Sequence, residues 1–145
     1  MPSPRVRLER EGDIAVIVID NPPINAGSAA VREGLMAAIA TVRSDDSLKG
    51  AVLIGAGTTF IAGSDLREFG QPLAEPQLPT VIQAIEDCGK PVVAALHGAA
   101  LGGGFELALG CDFMLVADEA KVGDVHTDAG VLPAASSLRL KRRIG

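Results

Sequence analysis

Tryptophan and tyrosine are absent from the 145-residue chain, and phenylalanine occurs only four times. Without large aromatics the interior has to be filled by Val, Ile, Leu and Ala, and these supply it in quantity: 48% of the residues are apolar, with a mean hydropathy of +0.31. That balance suits an α/β fold with buried parallel strands, and the length suits one domain over residues 1–145. No apolar run is long enough to span a bilayer, and Met1 to Arg10 lacks the apolar stretch of a signal peptide. No membrane partner is expected, and the cytoplasm is the default location. Positive charge is in deficit, with 13 Lys and Arg against 18 Asp and Glu. The net charge of −5 argues against nucleic acid as a partner. The basic residues cluster once, at Arg139, Lys141, Arg142 and Arg143, which read first as a solvated helix face and second as a docking patch for ligand phosphates. Cysteine is scarce too. Cys88 and Cys111, with His97 and His126, show no spacing of a metal site, so no metal is expected and both thiols read as reduced and buried.

Glycine (17) and proline (9) are plentiful and divide the chain into short apolar runs. Val6 to Arg10 and Ile14 to Asp20, separated by Glu11-Gly12-Asp13, predict a β-hairpin. From Ser28, a candidate N-cap, Val31, Leu35, Ala38, Ile39 and Val42 recur at helical spacing up to Ser44. Gly50 to Gly55 reads as a buried strand and Gly70 to Pro79 as a mobile loop, with a helical pattern from Thr80 to Cys88. Val92 to Leu96 is a further buried strand, followed by a Gly-rich turn and a helix from about Gly103. Phe113 to Ala117 and Lys121 to Val122 predict short strands, and a last helix starts near Ser136. Repeated strand, turn and helix favour an α/β layered architecture with parallel strands.

Two strand-to-turn junctions stand out: Ala62-Gly63-Ser64-Asp65, and His97-Gly98 through Gly102-Gly103-Gly104. Glycines at a helix start let backbone N–H groups face a cavity with no side chain in the way, and such groups can hold an anion. For any single glycine, close packing of a helix on a sheet is the simpler explanation. A nucleotide-binding turn is weaker still, because G-x-G-x-x-G spacing is missing.

The combination is more specific. Ala62-Gly63-Ser64-Asp65-Leu66, then His97-Gly98 through Gly102-Gly103-Gly104-Phe105-Glu106-Leu107-Ala108, then Cys111-Asp112, resembles the enoyl-CoA hydratase/isomerase (crotonase) family in order and spacing. Asn21-Pro22-Pro23-Ile24-Asn25-Ala26 and Lys90-Pro91-Val92-Val93-Ala94-Ala95 match that family as well, so the resemblance runs from the first hairpin to the last residue. Leu78 to Glu106 is also similar to the hydratase portion of multifunctional fatty-acid oxidation proteins. The resemblance implies a crotonase-like spiral of β-β-α units with a parallel sheet, truncated before the C-terminal helices. The helical pattern that has only begun at Leu138 when the chain stops at Gly145 agrees with that expectation. Exposed apolar surface is expected where the absent helices would pack.

By motif position, the resemblance makes the amides of Ser64 and Gly103 an oxyanion hole for a thioester carbonyl, with Ala62, Gly63, Asp65, Leu66, Gly102 and Gly104 forming the substrate-binding turns around it. It makes Glu106 the first of two catalytic carboxylates. Read by itself, Glu106 lies on the first turn of the helix, where a carboxylate can simply offset the helix dipole. Its apolar neighbours Phe105, Leu107 and Ala108 argue that it faces inward. The position of the second carboxylate falls at His126, a departure from the family pattern. A histidine can serve as general acid or base near neutral pH, or can merely pack in a polar loop. Asp124 and Asp128 flank it and can orient the ring or replace it as base. A second departure is Pro133-Ala134-Ala135-Ser136-Ser137, where relatives carry a Gly-rich turn. Ser136 or Ser137 is expected to cap the helix that follows.

The function implied is a 2-enoyl-CoA hydratase in which Ser64 and Gly103 hold the thioester oxygen, Glu106 activates water and His126 handles the second proton. Isomerisation or another lyase step through the same enolate is the nearest alternative. A non-catalytic acyl-CoA-binding fragment is the competing class. No resident cofactor is implied, since coenzyme A arrives as part of the substrate, and the complete domain is expected to assemble as a trimer or hexamer.

Overall fold

The computed structural model describes residues 4–133 and 135–145. Alternating apolar residues on either side of Gly12, which takes φ 62° at the turn, form the antiparallel hairpin of β1 (Val6–Glu11) and β2 (Ile14–Ile19). The Ser28 side chain accepts from the Val31 N–H and caps α1 (Ala29–Ser44). That helix buries Val31, Leu35, Ala38, Ile39 and Val42, as the 3.6-residue period predicts. At its other end Lys90 Nζ donates to the carbonyls of Val42 and Asp45 at 2.6 and 2.7 Å. The remaining elements are β3 (Gly50–Gly55), α2 (Leu78–Glu86), β4 (Val92–Leu96), β5 (Ala99–Leu101), α3 (Gly103–Gly110), β6 (Phe113–Val116), β7 (Lys121–Gly123) and α4 (Ala135–Ile144).

The main sheet has the order β1-β2-β3-β4-β6 and is parallel from β2 onward. A second sheet pairs β5 with β7, also in parallel. Every residue of α3 is buried, and the helix packs against α2, α4 and β5. A helix that is apolar all round but for Glu106 finds its place at the centre of the fold, where no face needs to meet water.

Besides shifts of a residue or two at strand and helix ends, three features differ from the sequence expectation for a physical reason. Helix α2 starts at Leu78 rather than Thr80, because Pro79 sits in the first turn, where its missing N–H costs no helix bond. The stretch read only as a Gly-rich turn contains β5, held by tertiary pairing that no local pattern announces. Neither Ser136 nor Ser137 caps α4. Both lie inside the helix, Ser136 Oγ donating to Asp124 and Ser137 Oγ to the Pro133 carbonyl, and the first helical amides are taken by a carboxylate from α3 instead. Ala134 lies outside the described residues.

The basic cluster near the C-terminus divides by role. Arg139 forks onto Glu86 of α2 at 2.8 and 2.9 Å. Arg143 donates to the carbonyls of Leu109, Cys111 and Asp112 at the end of α3. These two therefore dock α4 onto α2 and α3. Exposed apolar side chains gather on the edge strand β6 (Phe113, Leu115, Val116) and along residues 132–144 (Leu132, Leu138, Ile144). Among the described residues no helix is long and apolar enough to cross a membrane.

Candidate active site

The two glycine-bearing junctions are brought together by backbone pairing. Ile61 donates to the Ala99 carbonyl and accepts from the Leu101 N–H, so the strand end preceding Ser64 lies alongside β5, which leads directly into Gly103. Gly27 N–H ties down the Gly63 carbonyl at 2.9 Å from the other side. The approach is close. A Cβ on Gly103 would stand 2.9 Å from Ser64 Oγ, and one on Gly104 would stand 2.3 Å from the Ile61 carbonyl oxygen. Gly104 is thus a packing glycine that lets α3 pass against the Ile61 backbone. Gly103 is the first residue of α3, where the N–H has no partner within the helix. Among the hydrogen bonds of the described residues, none is donated by the Ser64 or the Gly103 N–H.

Ala62, Gly63, Ser64, Leu66, Gly102 and Gly103 line a groove of about 450 Å³ together with His126. Its apolar wall is made by Ile24, Leu66, Phe69, Val125 and Val131. Asp65, expected at the substrate turn, is instead taken up by Arg67: its two carboxylate oxygens accept from the Arg67 guanidinium at 2.9 and 2.7 Å. That guanidinium, with help from the Arg67 backbone N–H, holds the Asp65 carboxyl below the usual carboxylate range even though burial pushes the other way.

Glu106 is 5% exposed, and its inward orientation follows from its apolar helix. Its Oε1 accepts from the Ala135 and Ser136 N–H groups at 2.9 and 3.0 Å, so this carboxylate of α3 caps α4. Its Oε2 stands 3.6 Å from Nε2 of His126, whose ring borders the groove. Nδ1 on the opposite side of the imidazole meets Asp124 Oδ1 at 2.5 Å, and Ser136 Oγ donates to Asp124 Oδ2. Burial acts most strongly on the Asp124 carboxyl and would raise its pKa. The hydrogen bonds from Ser136 and His126 together outweigh it and leave the group below its ordinary range. Asp128 also lines the groove. Burial pushes the Cys111 thiol up to about 12, so it stays protonated in the core. Among the described residues no group of three or more His, Cys, Asp or Glu is arranged to hold a metal ion.

A family model described as enoyl-CoA hydratase/isomerase matches residues 9–145. The chain belongs to that family. The peroxisomal bifunctional enzyme of Danio rerio is 44% identical over 133 residues, which are 91% of this chain and 18% of that protein. A probable enoyl-CoA hydratase of Bacillus subtilis is 36% identical over 140 residues, or 91% of this chain and 54% of that one. Among solved structures, Pseudomonas aeruginosa DspI superposes with a TM-score of 0.90 at 28% identity, covering 99% of this chain and 58% of that one. The enoyl-CoA hydratase of Bacillus anthracis gives 0.89 at 30% identity, with 97% and 58% covered. The chain therefore spans between about a fifth and three fifths of the length of these family members.

Sequence reasoning missed several residues around this family site. Ile24 and Phe69 form apolar wall, and their signal was an apolar side chain isolated in a Pro- or Gly-bounded loop. Arg32 is 8% exposed and donates to the carbonyls of Gly27, Ala74 and Pro76 and to Glu68. It fastens the stretch read as a loop onto α1. Its signal was its phase, three and seven residues before Leu35 and Ile39 on the buried face of the helix.

Proposed function

We propose that this chain carries the oxyanion hole and the proton-transferring pair of an enoyl-CoA hydratase. The observation that carries the reading is the presence of two unclaimed amides, Ser64 and Gly103, on one groove that His126 also lines. Adding water to a 2-enoyl-CoA forms an oxygen–carbon bond at C3 and moves charge onto the thioester oxygen until C2 takes up a proton. Fixed N–H donors stabilise that charge as it develops, each contributing about 3–4 kcal/mol of barrier lowering. The pair of Glu106 and His126 takes one proton from water and returns one to C2, ending with the proton count it began with. The wall of Ile24, Phe69, Val125 and Val131 suits an acyl chain. Coenzyme A enters as part of the substrate in this reading, and a trimer or hexamer in the cytoplasm is its working form.

A second reading, isomerisation of 3-enoyl-CoA, is favoured by one observation. Glu106 has a single oxygen left over from capping α4, and that oxygen faces His126, which suits a shuttle of one proton from C2 to C4. The protein from its complete reading frame should be assayed with 2-enoyl-CoA and 3-enoyl-CoA thioesters of several lengths. Hydration supports the first reading, and double-bond movement without hydration supports the second. Tight acyl-CoA binding with neither reaction would leave the non-catalytic alternative.

A further inference from the structure

Ser136 stands between two carboxylates. Its backbone N–H donates to Glu106 Oε1 at 3.0 Å, and its hydroxyl donates to Asp124 Oδ2. Asp124 Oδ1 in turn accepts from the backbone N–H of His126 at 3.0 Å and meets Nδ1 of the same residue at 2.5 Å. The ring closes where His126 Nε2 faces Glu106 Oε2. Four residues from three separate parts of the chain thus lie in one ring, hydrogen-bonded except at the 3.6 Å gap between His126 and Glu106, and it is largely shielded, with side-chain exposures of 15% for His126, 23% for Asp124 and 6% for Glu106.

We propose that Asp124 and Ser136 are positioning residues that hold His126 and Glu106 as one proton-carrying pair. Asp124 keeps the imidazole protonated at Nδ1, so that Nε2 is the atom turned toward Glu106. Ser136 anchors Asp124 through its hydroxyl and Glu106 through its N–H. The inference rests on the acid–base reading of the Glu106–His126 pair given above and adds two residues that do not touch the reacting atoms.

The donor and acceptor inventory supports this assignment. An ionised carboxylate can only accept, so the short contact at Nδ1 requires the proton to be on the ring. That choice leaves Nε2 to exchange a proton with its other neighbour. Glu106 Oε1 is occupied by two amides, which leaves Oε2 as the oxygen available for transfer. At 3.6 Å the Nε2 and Oε2 atoms are beyond hydrogen-bonding distance, and one proton placed between them gives both a reason to approach. Apo sites commonly tighten in this way once substrate is bound. The position of Nε2 also matters. A Cβ on Gly102 would stand 3.9 Å from it, so the transferring edge of the ring lies beside the segment that presents the Gly103 amide. The other charged groups near the pair are Asp128, on the His126 turn, and Arg139 on α4, whose guanidinium is paired with Glu86.

The test uses nitrogen NMR of the His126 ring beside steady-state kinetics, on the protein from its complete reading frame. In the wild type, the neutral ring should carry its proton on Nδ1. Asp124→Ala should release that preference, and Asp124→Asn, which keeps a carbonyl acceptor, should restore part of it. Asp124→Ala should also lower kcat by about 10-fold to 100-fold with KM nearly unchanged, and shift the pH–rate profile. Ser136→Ala keeps the backbone N–H and favours helix, so it should fold even where Asp124→Ala does not, and it should loosen the ring preference to a smaller degree. A wild-type ring protonated on Nε2, or the same ring tautomer in wild type and in whichever of these variants fold, would overturn the proposal. The spectroscopic arm stands even if no hydration is found, so loss of the hydratase reading and loss of the positioning claim give different results.

Discussion

Glu106 divides its two carboxylate oxygens between two tasks: Oε2 stands 3.6 Å from His126 Nε2, while Oε1 caps the first amides of α4. One side chain therefore meets both His126 and the start of α4, and substitutions can separate the proposed proton transfer from the structural cap. Glu106→Gln keeps an oxygen for the two amides but cannot accept a proton, so kcat should drop by about 10²–10⁴ with acyl-CoA binding almost intact. Glu106→Ala should in addition cost about 1–3 kcal/mol of stability, because two buried N–H groups lose their acceptor. Equal thermal stability of the two variants would show that the cap contributes nothing.

Gly103 offers a way to delete an amide without deleting a helix bond. As the first residue of α3 it can accept proline, whose missing N–H is otherwise unused there. Gly103→Pro should lower kcat by about 10²–10³, while Gly103→Ala, which keeps the N–H and meets chiefly the movable Ser64 hydroxyl, should retain much more activity. Matching losses in the two variants, each checked for native fold by circular dichroism, would count against a role for the Gly103 amide.

His126 borders the groove and faces Glu106, so its loss should be felt in turnover rather than in binding. His126→Gln is expected to lower kcat for hydration by about 10²–10⁴ with acyl-CoA binding nearly unchanged. Equal kcat in wild type and variant would remove His126 from the reaction.

Asp65 should show itself in acid stability rather than in activity. Its folded-state carboxyl is held below the ordinary value by Arg67, so its contribution is fully present above the unfolded value of about 3.9 and is lost as pH falls through the lower, folded value. The difference in melting temperature between wild type and Asp65→Asn is expected to be largest at neutral pH and to shrink below about pH 4. A difference that stays constant from neutral to acid conditions would contradict the ionic account.

Local pattern was enough for the parts of the fold that repeat. The buried stripe of α1, the Ser28 cap, the hairpin turn at Gly12 and the apolar runs of β3 and β4 each follow from residues within a few positions of one another. The candidate site was legible to the extent that it is made of backbone: glycines before α3 and around Ser64 marked the two junctions, and the fold gathers them along one groove. Strand β5 was not legible, because three residues with no strong period become a strand only when β7 pairs with them.

By itself the sequence determined the order of the main elements apart from β5, the two glycine junctions and the inward face of Glu106, all of which depend on residue type and short-range spacing. Tertiary structure alone decided what those side chains do. Asp65 and Asp124 are both acidic residues beside glycine-bearing turns, yet one is claimed by the neighbouring Arg67 and the other by His126 and Ser136. Glu106 and Ser136 are 30 residues apart, and nothing in the local pattern of either announces that one caps the helix of the other. Such contacts are set by how α3 and α4 pack, and a hydrogen-bonding side chain takes whichever partner that packing brings within about 3 Å.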